Sequence, residues 1–144
     1  MPVITLLTDY GLRDSYVAEV KAALLSRAPD AVVVDVSHEV PAGDVRAGQY
    51  LLARTWRRFP VGTVHVAIVD PGVGTTRRAL AGAAAGHCFV GPDNGLLSIV
   101  PQDARWVELP VPPDAAPTFH GRDVFAPAAA RLANREALER LGPP

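Results

Sequence analysis

Apolar and polar positions fall in blocks along this chain, and the block lengths predict strands and helices in turn. Val3-Ile4-Thr5-Leu6-Leu7 is a short apolar run closed by Thr8-Asp9-Tyr10-Gly11, the pattern of a buried strand and the turn at its carboxyl end. Asp14 or Ser15 suits an N-cap, and Val17, Val20, Leu24 and Ala28 then recur at helical spacing up to the break at Pro29-Asp30. Ala31 to Val36 predicts a second strand, with Ser37-His38 as its turn. Asp44 predicts the cap of a second helix that carries Val45, Gly48, Leu52 and Trp56 on one face. Phe59-Pro60-Val61-Gly62 breaks that helix, and the β-branched run from Val64 to Val69 predicts a central strand stopping abruptly at Asp70-Pro71-Gly72.

Strand, helix, strand, helix, strand is the order of parallel βαβ units, whose crossovers are almost always right-handed. After the loop Asp70–Arg78 the pattern changes. Ala79 to Ala84, a Gly86-His87 turn and Cys88-Phe89-Val90 predict a hairpin, so the sheet is expected to be mixed. Gly91-Pro92-Asp93-Asn94-Gly95 is dense in turn residues, Leu96 to Val100 predicts a helical turn, and Arg105 to Leu109 a strand. A proline-rich connection from Pro110 to Pro117 leads to a last helix over Val124 to Ala133. Val124, Phe125, Ala128 and Leu132 face inward there, with Pro127 near its first turn and a short helical piece from Glu136 to Leu141 beyond. The expected fold is α/β, a three-layer α/β/α sandwich with a mixed, mostly parallel sheet.

At 144 residues the chain suits one domain. A net charge of −1 offers no electrostatic footprint for nucleic acid or an anionic membrane. No apolar run approaches the roughly 20 residues of a membrane span, and no secretory pattern opens the sequence, so a cytoplasmic setting is expected by default. The one cysteine, Cys88, lies in an apolar run and reads as a buried, inert thiol.

Polar residues with chemical potential sit where predicted strands end or helices begin, the usual place for ligands in an open α/β sheet. Asp70 and Arg77, seven positions apart, can face one another across their loop; a tight turn with a solvated ion pair fits the same spacing equally well. Thr8-Asp9 with Asp14 could accept hydrogen bonds from a ribose diol, although an Asx turn or helix cap accounts for Asp14 more simply. His65, His87 and His38 have ordinary structural readings, within a strand, in a hairpin turn and after a strand. His120 stands between Phe119 and Gly121 at a loop-to-helix entry, a position suited to a catalytic imidazole. Neither the spacing of a metal site nor that of a phosphate-binding P-loop or G-x-G-x-x-G is present.

Four stretches together carry a family resemblance: Leu7-Thr8-Asp9-Tyr10-Gly11, Asp70 to Arg78, Gly91 to Ser98, and Thr118 to Ala129. In order and over nearly the whole chain, they resemble the S-adenosylmethionine (SAM) hydroxide adenosyltransferases, the SAM hydrolases related to fluorinase and chlorinase. The resemblance implies attack of water or hydroxide at C5′ of SAM, giving adenosine and methionine, with Asp70, Arg77 and His120 as the catalytic triad. It also implies substrate-binding roles for Asp9, at the ribose, for Asp14, nearer the methionine, and for Phe119. SAM is the substrate on this reading, and no metal or other cofactor is called for. His120 would orient the water and accept its proton, with the Asp70–Arg77 pair fixing the geometry. The family further implies a homotrimer and a second, C-terminal β domain, of which residues 1–144 contain no counterpart; activity of this chain alone is expected to be impaired. Two alternatives stay open, a non-enzymatic nucleoside-binding or assembly remnant and a chlorinase-like halogenase, the latter disfavoured by the triad.

Overall fold

A computed structural model describes residues 1–72, 77–112 and 119–144. Within them the chain alternates as the pattern predicts: β1 (Val3–Thr8), α1 (Tyr16–Arg27), β2 (Val32–Ser37), α2 (Val45–Thr55), β3 (Val64–Ile68), β4 (Ala79–Ala84), β5 (His87–Pro92), β6 (Arg105–Leu109) and α3 (Ala126–Ala133). Six strands form one sheet in the order β2-β1-β3-β5-β4-β6. The first four in that order run parallel, and the β4–β5 hairpin and the β4–β6 pair are antiparallel, so the sheet is mixed as expected.

Each face of the sheet has its own core, because a strand sends alternate side chains to opposite sides. Val64, Val66 and Ile68 of β3 join Val20 and Leu24 of α1 and Phe125, Ala129 and Leu132 at α3. Ala67 and Val69 join Leu52 and Trp56 of the α2 layer, with Phe89 and Leu96. Three layers result. Trp56 is 1% exposed and packs edge-on against Phe89 and His87, a side chain whose truncation costs about 3–5 kcal/mol. Gly48 lets α2 approach the sheet closely: a Cβ there would stand 2.8 Å from Leu96 and 3.1 Å from Val69.

Several details depart from the expectations. The first helix starts at Tyr16 with Ser15 as its N-cap, but no side chain caps it. Asp14 instead accepts the Ser15 backbone N–H at 2.7 Å. Asp44 does cap α2, accepting the Ala47 N–H at 3.0 Å. The second strand is half-exposed because it lies at the sheet edge. The last helix opens with a π-type turn over Gly121–Phe125, and the terminal piece is a single 3₁₀ turn, Leu138–Arg140. Cys88 is only partly buried, although burial still raises its thiol pKa, so an inert thiol stands and full burial does not. The expected proline-rich connection falls largely on residues 113–118, and the centre of the Asp70–Arg78 loop on 73–76, both outside the described residues. No helix among the described residues is long and apolar enough to cross a membrane.

His65 and His87 form a buried pair that the pattern gives no hint of. His65 is 1% exposed, its Nδ1 lies 2.8 Å from Thr5 Oγ1, and its Nε2 lies 3.1 Å from His87 Nδ1. Burial, helped by His87, pushes the His65 pKa from 6.5 down to about 3, and burial with the Arg57 charge lowers His87 as well. The folded state therefore excludes protons that the unfolded chain binds near pH 6.5. Their contribution to stability is complete above that pH and drains away as pH falls from 6.5 toward 3. The urea midpoint should accordingly drop between pH 7 and pH 5, and in His65→Phe the slope over that interval should flatten even though the midpoint at pH 7 is lower.

Candidate functional site

The carboxyl ends of β1 and β3 and the first turn before α3 meet at one end of the sheet. Asp70 follows β3 directly, and Arg77 returns toward β4. Arg77 donates from Nε to Asp70 Oδ1 at 3.0 Å and from Nη2 to Asp70 Oδ2, a forked, charge-assisted pair. Both side chains are almost out of water, Arg77 at 8% and Asp70 at 5% exposure, so the solvated-ion-pair alternative does not hold.

The same Arg77 Nη2 lies 2.9 Å from His120 Nδ1, and the Phe125 ring stands 5.5 Å from the guanidinium carbon. His120 and Phe125 are five residues apart, which an α-helix would turn to different sides. The π-type turn, closed by the Ala126 N–H on Gly121 O, brings both onto the side that faces Arg77. Pro127, which lacks an N–H, withholds the next donor that would tighten this turn. A proline six positions after a glycine is a faint signal in a sequence, and by itself it does not separate a π turn from an ordinary helix start.

The hydrogen bond from Arg77 decides the state of the imidazole. A guanidinium has no acceptor, so His120 Nδ1 must offer its lone pair, and a neutral ring then carries its proton on Nε2. Burial first, and the Arg77 charge second, hold the His120 pKa below its ordinary value against the opposing pull of Asp70 and Asp123. The ring is neutral at neutral pH and presents Nε2–H as a donor.

Asp9 and Tyr10 complete the group. Gly43 donates its N–H to Asp9 Oδ2 at 2.7 Å, and the Asp9 N–H reaches Ile68 O at 3.3 Å. Burial raises the Asp9 pKa, the Gly43 hydrogen bond offsets part of this, and the Asp70 charge adds to the rise, so the two carboxylates share one environment. Burial and the charges of Asp9 and Asp70 push the Tyr10 hydroxyl up, keeping it protonated. Gly121 is what admits Tyr10: a Cβ there would stand 2.5 Å from Tyr10 Oη and 3.2 Å from Ile68. Phe119 lies at the rim, 5.4 Å from the Tyr16 ring, with the Arg122 guanidinium 4.3 Å from its own ring centre. Asp14 does not join the group: it is exposed, and its carboxylate bonds Ser15 at the start of α1. Among the described residues no cluster of three His, Cys, Asp or Glu side chains is disposed to hold a metal ion.

Comparison with known proteins identifies a family. The sequence model of the SAM hydroxide adenosyltransferase N-terminal domain matches residues 4–142. The chain belongs to this family.

The chain is 50% identical to the (R)-S-adenosyl-L-methionine hydrolase of Salinispora arenicola, over 99% of the chain and 57% of that protein. It is 48% identical to the hydrolase of the same name from Thermus thermophilus, over 99% of the chain and 61% of that protein. A fluorinase of Nocardia brasiliensis is 30% identical over 98% of the chain. Among solved structures, a Thermotoga maritima protein described only as uncharacterized and conserved superposes with a TM-score of 0.92 at 38% identity, covering 97% of this chain and 57% of that one. The chain thus spans somewhat more than half the length of the relatives it matches.

Two measurements check the geometry without any substrate. The ¹⁵N shifts of His120 should report the Nε2–H tautomer at pH 7, and in Arg77→Gln the His120 pKa should rise as the neighbouring cation is lost. Gly121→Ala should destabilise the fold by about 1–3 kcal/mol through the clash at Tyr10. Adding Tyr10→Phe removes the clashing oxygen and should recover most of that loss in urea unfolding.

Proposed function

We propose that this domain carries the catalytic residues of a SAM hydrolase, which splits SAM into adenosine and L-methionine by attack of water or hydroxide at C5′. The observation that carries the reading is the Arg77 guanidinium shared between Asp70 and His120 Nδ1, which leaves one imidazole N–H to meet a nucleophile oxygen. Two carboxylates, Asp9 and Asp70, stand against one guanidinium, and this excess of negative charge suits the sulfonium of SAM. The hydrolase names of the relatives at 48–50% identity point the same way.

The chemistry needs no acid. Oxygen bonds to C5′, the C5′–S bond breaks, and its electron pair returns to sulfur, turning a sulfonium into a neutral thioether. The difficulty lies with the nucleophile, and His120 meets it as a donor. With Nδ1 engaged by Arg77, the ring accepts a proton only by giving up that bond. The role that fits is donation from Nε2–H to a hydroxide aligned opposite sulfur; the hydroxide's own proton stays on O5′ of the adenosine formed, and positioning there supplies several kcal/mol. Asp9, one oxygen held by Gly43, offers the other to ribose hydroxyls, and Phe119, packed against Tyr16 at the rim, is assigned a further substrate contact. Asp14 is assigned no contact. No metal or further cofactor enters this scheme. Homotrimeric assembly in the cytoplasm belongs to the same reading.

Incubation with SAM should yield adenosine and methionine in equal amounts, unchanged by added chloride; 5′-chloro-5′-deoxyadenosine would return the halogenase alternative. His120→Ala should lower kcat about 10²-fold, the cost of one lost donor to an oxyanion. Because His120 is held below its ordinary pKa, a ring acting as base would give a rate that is level above pH 7. Capture of hydroxide predicts instead that the rate keeps rising from pH 7 to pH 9.

A further inference from the structure

Asp9 is restrained at three points, and two of them lead back to His38. The peptide group before Asp9 is fixed by its N–H on Ile68 O, and the peptide group after it by the Tyr10 N–H on Thr8 Oγ1 at 3.2 Å. Thr8 Oγ1 in turn lies 2.7 Å from His38 Nδ1, and His38 Nε2 lies 2.7 Å from Asp35 Oδ1. Asp35 can only accept, so Nε2 carries a proton, and in the neutral ring the Thr8 hydroxyl donates to Nδ1. Every donor then has an acceptor, in one direction: Tyr10 N–H to Thr8, Thr8 O–H to His38, His38 N–H to Asp35. The His38 carbonyl also accepts the Gly11 N–H at 2.7 Å, and the segment that leaves His38 returns Gly43 to the Asp9 carboxylate. His38 is 4% exposed and Thr8 fully buried, so water cannot replace these partners cheaply. Lys21, 2.8 Å from Asp35, anchors the outer end of the chain.

We propose that His38 is a positioning residue for substrate: through Thr8 and the Gly11 amide it locks the Asp9–Tyr10–Gly11 turn so that the Asp9 carboxylate faces the ribose. This rests on Asp9 as the ribose ligand. The residue acts on binding and not on the bond-breaking step, because neither His38 nor Thr8 bonds to Asp70, Arg77 or His120 among the described residues.

Adenosine calorimetry, SAM kinetics and amide exchange test it on the same variants. His38→Gln and Thr8→Val should each weaken adenosine binding and raise KM roughly tenfold, leaving kcat little changed, as expected for a loosened ligand group. Thr8→Ser, which keeps the hydroxyl, should restore both, and His38→Asn, whose side-chain oxygen stands near the place of Nδ1, should fall between. Exchange at the Tyr10, Gly11 and Gly43 amides should quicken about tenfold in His38→Gln, with the β3 amides unmoved. Unchanged exchange at those three amides overturns the proposal. So does unchanged adenosine affinity in both variants when the parent chain binds adenosine. A parent chain that neither binds adenosine nor cleaves SAM overturns the functional reading instead, and the exchange pattern still decides whether His38 holds the turn.

Discussion

The ion pair between Asp70 and Arg77 is the constraint on which the site depends. Taking two such charges out of water costs several kcal/mol per ion, and mutual attraction repays it only when the geometry is good and the remaining donors are used. Here the fork of two hydrogen bonds supplies the geometry, while the His120 nitrogen and the Phe125 ring use a donor and the face of the guanidinium. Two apolar residues of similar volume could pin the same loop at less cost. They could not present a fixed cation to an imidazole lone pair, nor decide which ring nitrogen holds the proton. On the function proposed above, the pair is an arrangement kept for chemistry at some expense to stability.

Burial gives each neighbouring titratable group a definite state. Tyr10 is held protonated by burial and two nearby carboxylates, and His120 is held neutral by burial and Arg77. Asp9, whose pKa burial raises, is supported in its ionised form by the Gly43 amide. The result is a donor, a cation and two acceptors held in one place by backbone that is itself anchored in the sheet. Little rearrangement is required of such a group when a ligand arrives, which is the condition under which fixed dipoles are most effective.

Much of this was legible in the chain because strand and helix periods are local. The strand run ending at Asp70, the hairpin signal around Gly86 and the Asp44 cap each lie within a few residues and each appear in the fold. Asp70, Arg77 and His120 were legible as polar residues at the ends of elements. The networks were not. Thr8 and His38 are 30 residues apart, and Thr5 and His65 are 60 apart, so nothing short of the strand register brings them together. The π turn escaped for a different reason: its neighbour Pro127 is equally at home in the first turn of an ordinary helix. Asp14 is a ligand candidate through the family resemblance, while its place before α1 suits a local turn, and the structure gives it a local hydrogen bond to the next residue.

The sheet order carries a consequence for how the protein is made. Strands β3 and β4 follow one another in the chain, yet β5, synthesised after both, lies between them. The described ends of their connection are tied to the exit of β5, with Asn94 donating to Val69 O at 2.8 Å and the Asp93 N–H reaching Arg78 O at 2.8 Å. A nascent chain that has emerged only as far as Arg78 holds both members of the ion pair in water, where such a pair contributes about 0–1 kcal/mol. In the finished sheet β5 pairs with both β3 and β4, and His120 lies some thirty residues further along the chain. The charged pair therefore leaves water only once β5 has entered between β3 and β4 and the last helical segment has brought His120 and Phe125 over it, so its burial reports completion of the whole domain.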